Sequence, residues 1–115
     1  MKRRALQPEA TQVSPLDFLC EALLTARTVD EMRAFLRDLT TPAELEALTD
    51  RWRVVPYLLQ EMAYREIHDR TAVSVTTVGR VARCLQMGEG GYRIAAERLG
   101  WLAPPAPTPS KRKSR

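Results

Sequence analysis

The chain has 115 residues, 44% of them hydrophobic and 28% charged, with a net charge of +4, and that length allows one domain with a modest core. The apolar run Val54 to Leu59 is far too short to cross a bilayer, and no apolar segment follows the basic start Met1-Lys2-Arg3-Arg4, so neither a membrane protein nor an exported one is expected. Cys20, Cys84 and the lone His68 lack metal-ligand spacing, which excludes a zinc site built from them. A cytoplasmic protein with reduced thiols is therefore expected, with Cys20 in its core.

The positive charge sits at the two ends. Lys2, Arg3 and Arg4, with Lys111, Arg112, Lys113 and Arg115, supply seven charges and leave 11 arginines against 14 acids, a balance of −3, over residues 5–110. Any nucleic-acid surface on the domain must therefore be local. The ends themselves either add non-specific attraction to phosphates or stand as solvated termini.

In chain order, residues 1–13 read as a flexible basic arm. Ser14-Pro15-Leu16-Asp17 then places a capping serine before a first-turn proline and an early acid. Leu16, Leu19, Cys20, Leu23 and Leu24 follow at helical spacing. Thr28 with Glu31 forms a capping box ahead of Val29, Met32, Phe35, Leu36 and Leu39. Thr41-Pro42 with Glu44 opens a longer helix on Leu45, Leu48, Trp52, Val55 and Leu59, and Pro56 predicts a kink there, because it cannot bond back to the carbonyl of Trp52. A short helix from Tyr64 to Arg70, the connection Thr71-Ala72-Val73, and a helix capped by Ser74 carrying Val75, Val78, Val81, Ala82 and Leu85 come next. Gly88-Glu89-Gly90-Gly91 stops that helix. A last one runs from about Tyr92 to near Trp101, with Ile94, Ala95 and Leu99 facing inward. Residues 14–102 thus form an all-α domain of about six helices, and 103–115 form a disordered, proline-rich basic tail.

Two short helices joined by about three residues, the second opening at a serine, make a helix-turn-helix at about residues 62–86. In that arrangement the second helix lies in the major groove of double-stranded DNA and its first turn reaches base edges. Val75, Thr76 and Thr77 are accordingly the candidate readers, offering an apolar patch for a thymine methyl and two hydroxyls. Arg65 can fork onto a guanine or hold a phosphate. Arg70, Arg80 and Arg83 suit phosphates, and the position of His68 permits the same. Gly79 adds slack inside the reading helix. The same pattern also fits an α-helical dimeric interaction module without specific DNA binding, with its arginines as a solvated face. An enzyme finds no support, since no paired carboxylates, no nucleophile with a histidine partner and no phosphate-cradling glycine loop are present.

Thr41-Pro42-Ala43-Glu44-Leu45-Glu46-Ala47-Leu48 with Arg51, then Leu58-Leu59, Met62, Arg65-Glu66-Ile67, Thr77-Val78 and Arg80, resemble the Trp repressor family. The stretch Arg80-Val81-Ala82-Arg83-Cys84-Leu85, followed by a short glycine-bearing loop and Tyr92, is closer to its YerC/YecD-type branch. The resemblance covers roughly Leu16 to Leu99. It implies an intertwined homodimer on a palindromic operator, acting as a repressor of an amino-acid biosynthesis operon. It also implies an amino-acid corepressor held between two arginines, matched here by Arg51 and Arg80, with Thr41 lining the same pocket. Guanidinium planes suit that task because they stack on aromatic faces and attract carboxylates. Val81 stands where tryptophan-binding members carry glycine, and Cys84 replaces a serine. The effector-binding set Thr41, Arg51, Arg80, Val81 and Cys84 therefore implies either a different amino acid or no ligand, and no other cofactor is expected. Ala63 takes the place of a capping serine or threonine, at about 1 kcal/mol, and Ala72 the place of a turn glycine. With Gly79, these departures imply a mobile reading head. If the tail adds phosphate contacts, removing residues 103–115 is expected to flatten the salt dependence of DNA binding without changing the preferred sequence.

Overall fold

The computed structural model describes residues 13–102, so the basic arm, apart from its last residue, and the proline-rich tail lie outside the described residues. Within them the chain forms seven helices and no strand: α1 (Pro15–Leu23), α2 (Val29–Leu39), α3 (Pro42–Arg53), α4 (Val55–Leu59), α5 (Tyr64–Thr71), α6 (Val75–Met87) and α7 (Gly91–Arg98). The fold is all-α, as expected. The count is seven because the central helix divides at Val54, where Pro56 has no N–H for the carbonyl of Trp52. Leu58 N–H bonds the Val54 carbonyl at 3.0 Å, so helical bonding resumes at once. The chain separates into two units, Met1–Leu45 and Glu46–Arg115.

In the first unit each helix starts at a side-chain cap. Ser14 Oγ accepts the N–H of Asp17 at 3.1 Å, and Thr28 Oγ1 that of Glu31 at 3.0 Å. Glu31 reaches back to the N–H of Arg27 at 2.8 Å, one residue before the usual partner. At α3 the box closes fully: Thr41 Oγ1 accepts from Glu44 N–H at 3.2 Å and Glu44 Oε1 from Thr41 N–H at 2.8 Å. Neither α1 nor α2 contains a buried residue. Leu24 is 83% exposed and Val29 72%. Cys20, expected in the core, is exposed. The apolar stripe of α1 exists as its spacing predicts, but nothing in the described chain covers the thiol.

The second unit holds the core. Val54, Val55, Ile67, Val73, Val78 and Val81 are buried together, and Trp52, Tyr57, Leu58, Leu59, Met62, Leu85 and Tyr92 pack around them. Its helices end in tight reversals. After α4, Met62 N–H bonds Tyr57 O at 3.1 Å and Glu61 N–H bonds Leu58 O at 2.9 Å, a Schellman pair with Glu61 in the left-handed region at φ 62°. After α7 the same pair recurs from Trp101 to Ala96 and from Gly100 to Glu97, with Gly100 at φ 84°. That second reversal carries Trp101 onto Trp52, their rings stacked with centroids 5.0 Å apart. It also corrects the expectation for α7: Ile94 and Leu99 are exposed and Ala96 is the buried residue, while Trp101, itself 41% exposed, stacks on Trp52 from beyond the helix end, where a 3.6-residue period does not reach. Gly88 ends α6 for a steric reason, since a Cβ there would come within 2.5 Å of the Cys84 carbonyl oxygen.

Ala72, at φ 65°, is the second non-glycine residue in the left-handed region, and an L side chain there costs about 1–2 kcal/mol. Ala72→Gly is expected to raise the free energy of unfolding by about 1 kcal/mol in urea titration; unchanged or lower stability would contradict this account of the turn.

Candidate nucleic-acid interface

α5 and α6 are joined through Ala72, Val73 and Ser74, and every polar group of this connection that the chain buries has a partner. Ala72 N–H bonds the His68 carbonyl at 2.8 Å and closes α5. Thr71 is buried, and its hydroxyl donates to Ile67 O at 2.7 Å and accepts from Val73 N–H at 3.0 Å. His68 Nδ1 lies 2.8 Å from Val73 O. A carbonyl only accepts, so Nδ1 carries the proton. From α3, Arg53 Nη2 donates to Thr71 O at 3.0 Å, while Nη1 reaches Asp50 at 3.2 Å. A cation on the last carbonyls of α5 satisfies groups that a helix end leaves open and also complements its dipole.

The two helix starts differ. Ala63 gives α5 no side-chain cap, as expected. Ser74 Oγ caps α6 by accepting Thr77 N–H at 3.1 Å and donates its own proton to Thr77 Oγ1 at 3.0 Å.

At about 100° per residue, the faces of α6 follow from its numbering. Val78, Val81, Ala82 and Leu85 share the inner face; the first three are buried and Leu85 packs against the core. Thr76, Arg80 and Arg83, at intervals of four and three, form the opposite face, and all three are exposed. Val75 is exposed beside them, Thr77 is half-buried, and Gly79 lies on one flank. On α5, Arg65 is exposed on the side away from the buried Ile67. Among the described residues the ion pairs are Arg33–Asp30, Arg53–Asp50 and Arg70–Glu66, so Arg65, Arg80 and Arg83 are unpaired. The pair that engages Arg70 is exposed at both ends, a weak interaction that an incoming phosphate can displace.

The structure thus divides the predicted DNA set by role. Arg65, Val75, Thr76 and Arg83 present free side chains. The hydroxyl of Thr77 already belongs to the helix cap, though its proton remains available. His68 is half-buried and ties α5 to the turn, a role that sequence spacing does not reveal. Arg53 was not among the predicted residues. Its partner Thr71 is 18 positions away, so no local pattern signals it.

The effector set is spread over several environments. Thr41, in the first unit, uses its hydroxyl to cap α3. Arg51 is half-buried on α3 and Arg80 exposed on α6. Val81 is fully buried against the other core valines, because it shares the inner face of α6 with Val78, and it offers a ligand no surface in this chain. Cys84 is half-buried and lines a cavity of about 670 Å³, walled mainly by Trp52, Tyr92, Ala95 and the Gly88–Gly91 loop.

An all-α domain with this wired turn and this exposed basic face on the helix that follows it defines a helix-turn-helix protein. Comparison with known proteins then places it. The family model of the Trp repressor protein matches residues 14–100. The chain is 31% identical over 94 residues to the uncharacterized protein YerC of Bacillus subtilis (strain 168), spanning 82% of this chain and 90% of YerC. A TrpR-like protein from Eubacterium eligens matches with a TM-score of 0.68 at 35% identity, over 75% of this chain and 89% of that one. A candidate Trp repressor from Staphylococcus aureus matches with a TM-score of 0.73 at 31% identity, over 85% of this chain and 98% of that one. The chain belongs to the Trp repressor family, a family of DNA-binding regulators.

The tie from His68 to Val73 sets an expectation for stability apart from DNA. His68→Ala should lower the free energy of unfolding by about 1 kcal/mol, with His68→Asn restoring much of it because an amide N–H can stand in for Nδ1. Equal stability of all three proteins in urea titration would remove the structural role.

Proposed function

We propose that this protein is a sequence-specific transcriptional repressor of an amino-acid biosynthesis operon, binding a palindromic operator as a homodimer. The observation that carries the reading is the exposed face of Thr76, Arg80 and Arg83 on α6, opposite the buried valines and accompanied by the unpaired Arg65. A helix with hydroxyls at its first turn and guanidinium groups along the same face suits base edges at one end and phosphates along its length. Val75 adds an apolar contact for a thymine methyl. The net negative balance of residues 5–110 does not oppose this, because α6 itself carries no acidic residue.

The uncovered apolar side chains of α1 and α2 support the dimer. Leu16, Phe18, Leu24 and Val29 are exposed in the single chain, and removing such a set from water is a strong drive to association. Two-fold symmetry would set two copies of α6 about one helical turn of DNA apart. For the corepressor, Arg51 and Arg80 supply the guanidinium groups, and Cys84, in place of the serine of tryptophan-binding members, favours an amino acid other than tryptophan. Acting on chromosomal DNA, such a protein works in the cytoplasm.

Sequencing genomic fragments recovered on the purified protein, with and without amino acids, tests these points together. A shared palindrome enriched only with one amino acid present is the expected result. Arg65→Ala is expected to weaken binding to that site by about 1–3 kcal/mol in gel-shift titration and to relax the preference at one base position. Recovery of no preferred sequence would favour an interaction module instead.

A further inference from the structure

Tyr64 opens α5 on the same side as Ile67 and Thr71, three and seven positions on. Those two are buried, yet Tyr64 is 44% exposed. The ring lies beside α6. A Cβ built on Gly79 would stand 3.8 Å from Tyr64 Cε2, ordinary van der Waals contact. Gly79 therefore leaves bare backbone on one flank of the reading helix, and the aromatic ring from α5 lies against it. Among the described residues the phenolic hydroxyl has no hydrogen-bond partner within the protein, whereas the turn's own hydroxyls, those of Thr71, Ser74 and Thr77, are all engaged. The next residue, Arg65, is exposed and unpaired.

Resting on the reading of α6 as the DNA-reading helix, we propose that Tyr64 is a further DNA contact, its hydroxyl donating to a phosphate oxygen of the strand that α5 crosses. In a helix-turn-helix the first helix crosses the sugar–phosphate backbone while the second lies in the groove. A ring at the start of the first helix and against the flank of the second stands between base edges and backbone. Phosphate oxygens only accept hydrogen bonds, which suits a phenol with a free proton. The ring has only two side-chain torsions, so little freedom is lost on binding.

The test compares wild-type protein with Tyr64→Phe, which removes the hydroxyl and keeps the ring on Gly79, on an operator selected with the wild type. Thermal unfolding of the two proteins should coincide. Binding should weaken roughly tenfold, the scale of one hydrogen bond to a charged group. The same factor is expected on an unrelated duplex, and the salt slope should not change, because no charge that releases counterions has been removed. A neutral methylphosphonate at one phosphate of each half-site should erase the difference between the two proteins. Equal affinity of wild type and variant overturns the proposal, and so does a loss confined to the operator, which would mean that the hydroxyl reads a base. A wild type that binds no duplex would remove the repressor reading and this contact together, whereas a wild type and variant that bind equally well remove the contact alone.

Discussion

The left-handed turn at Ala72 is the point on which the DNA-binding unit depends. Neither α5, with eight residues, nor α6, with 13, has much stability alone, since isolated helices of such length barely repay nucleation in water. They hold a fixed relation here because the reversal between them is closed by Thr71, His68 and Arg53, each bonding a different backbone group of the connection. Ile67 and Val78, both fully buried, anchor the two helices in the same core. The unit is therefore positioned by polar bonds at its turn and by valine packing beneath it, while its outer face is left free of structural duties.

That separation lets a domain with a slight excess of acids present a cationic surface. The interaction of a protein with DNA is governed by charges near the phosphates, because screening removes the influence of more distant ones beyond about 10 Å at ordinary ionic strength. Arg65, Arg80 and Arg83 are unpaired, while Arg53 and Arg70 have acidic neighbours on their own helices. The arginines thus divide into those that hold the fold and those available to a ligand. Arg53 shows why composition alone misjudges such a surface, since its guanidinium is fixed on a backbone carbonyl of the turn.

The first unit presents the converse case. Its helices are well capped and amphipathic, yet contain no buried residue. Local signals are sufficient to make these helices, and the apolar stripes they carry are only partly covered in the single chain, with Leu16, Leu24, Val29 and Leu39 exposed.

Helix starts were legible residue by residue, because Ser14, Thr28, Thr41 and Ser74 each satisfy an amide three positions on, and that chemistry is written in adjacent residues. The division at Pro56, the strained turn at Ala72 and the inner face of α6 were legible for the same reason: each depends on one residue type or on a period within one helix. The bonds from Arg53 to Thr71 and from His68 to Val73, the reversal that stacks Trp101 on Trp52, and the contact of Tyr64 with Gly79 depend on how separate segments meet. Cys20 and Leu99 had the right spacing for burial and are exposed, because a period identifies a face but not what covers it. The helix-turn-helix and its exposed face are therefore properties of the local sequence. Which of its polar residues face outward to a ligand, and which are held by the turn, was decided only when distant parts of the chain came within hydrogen-bonding reach.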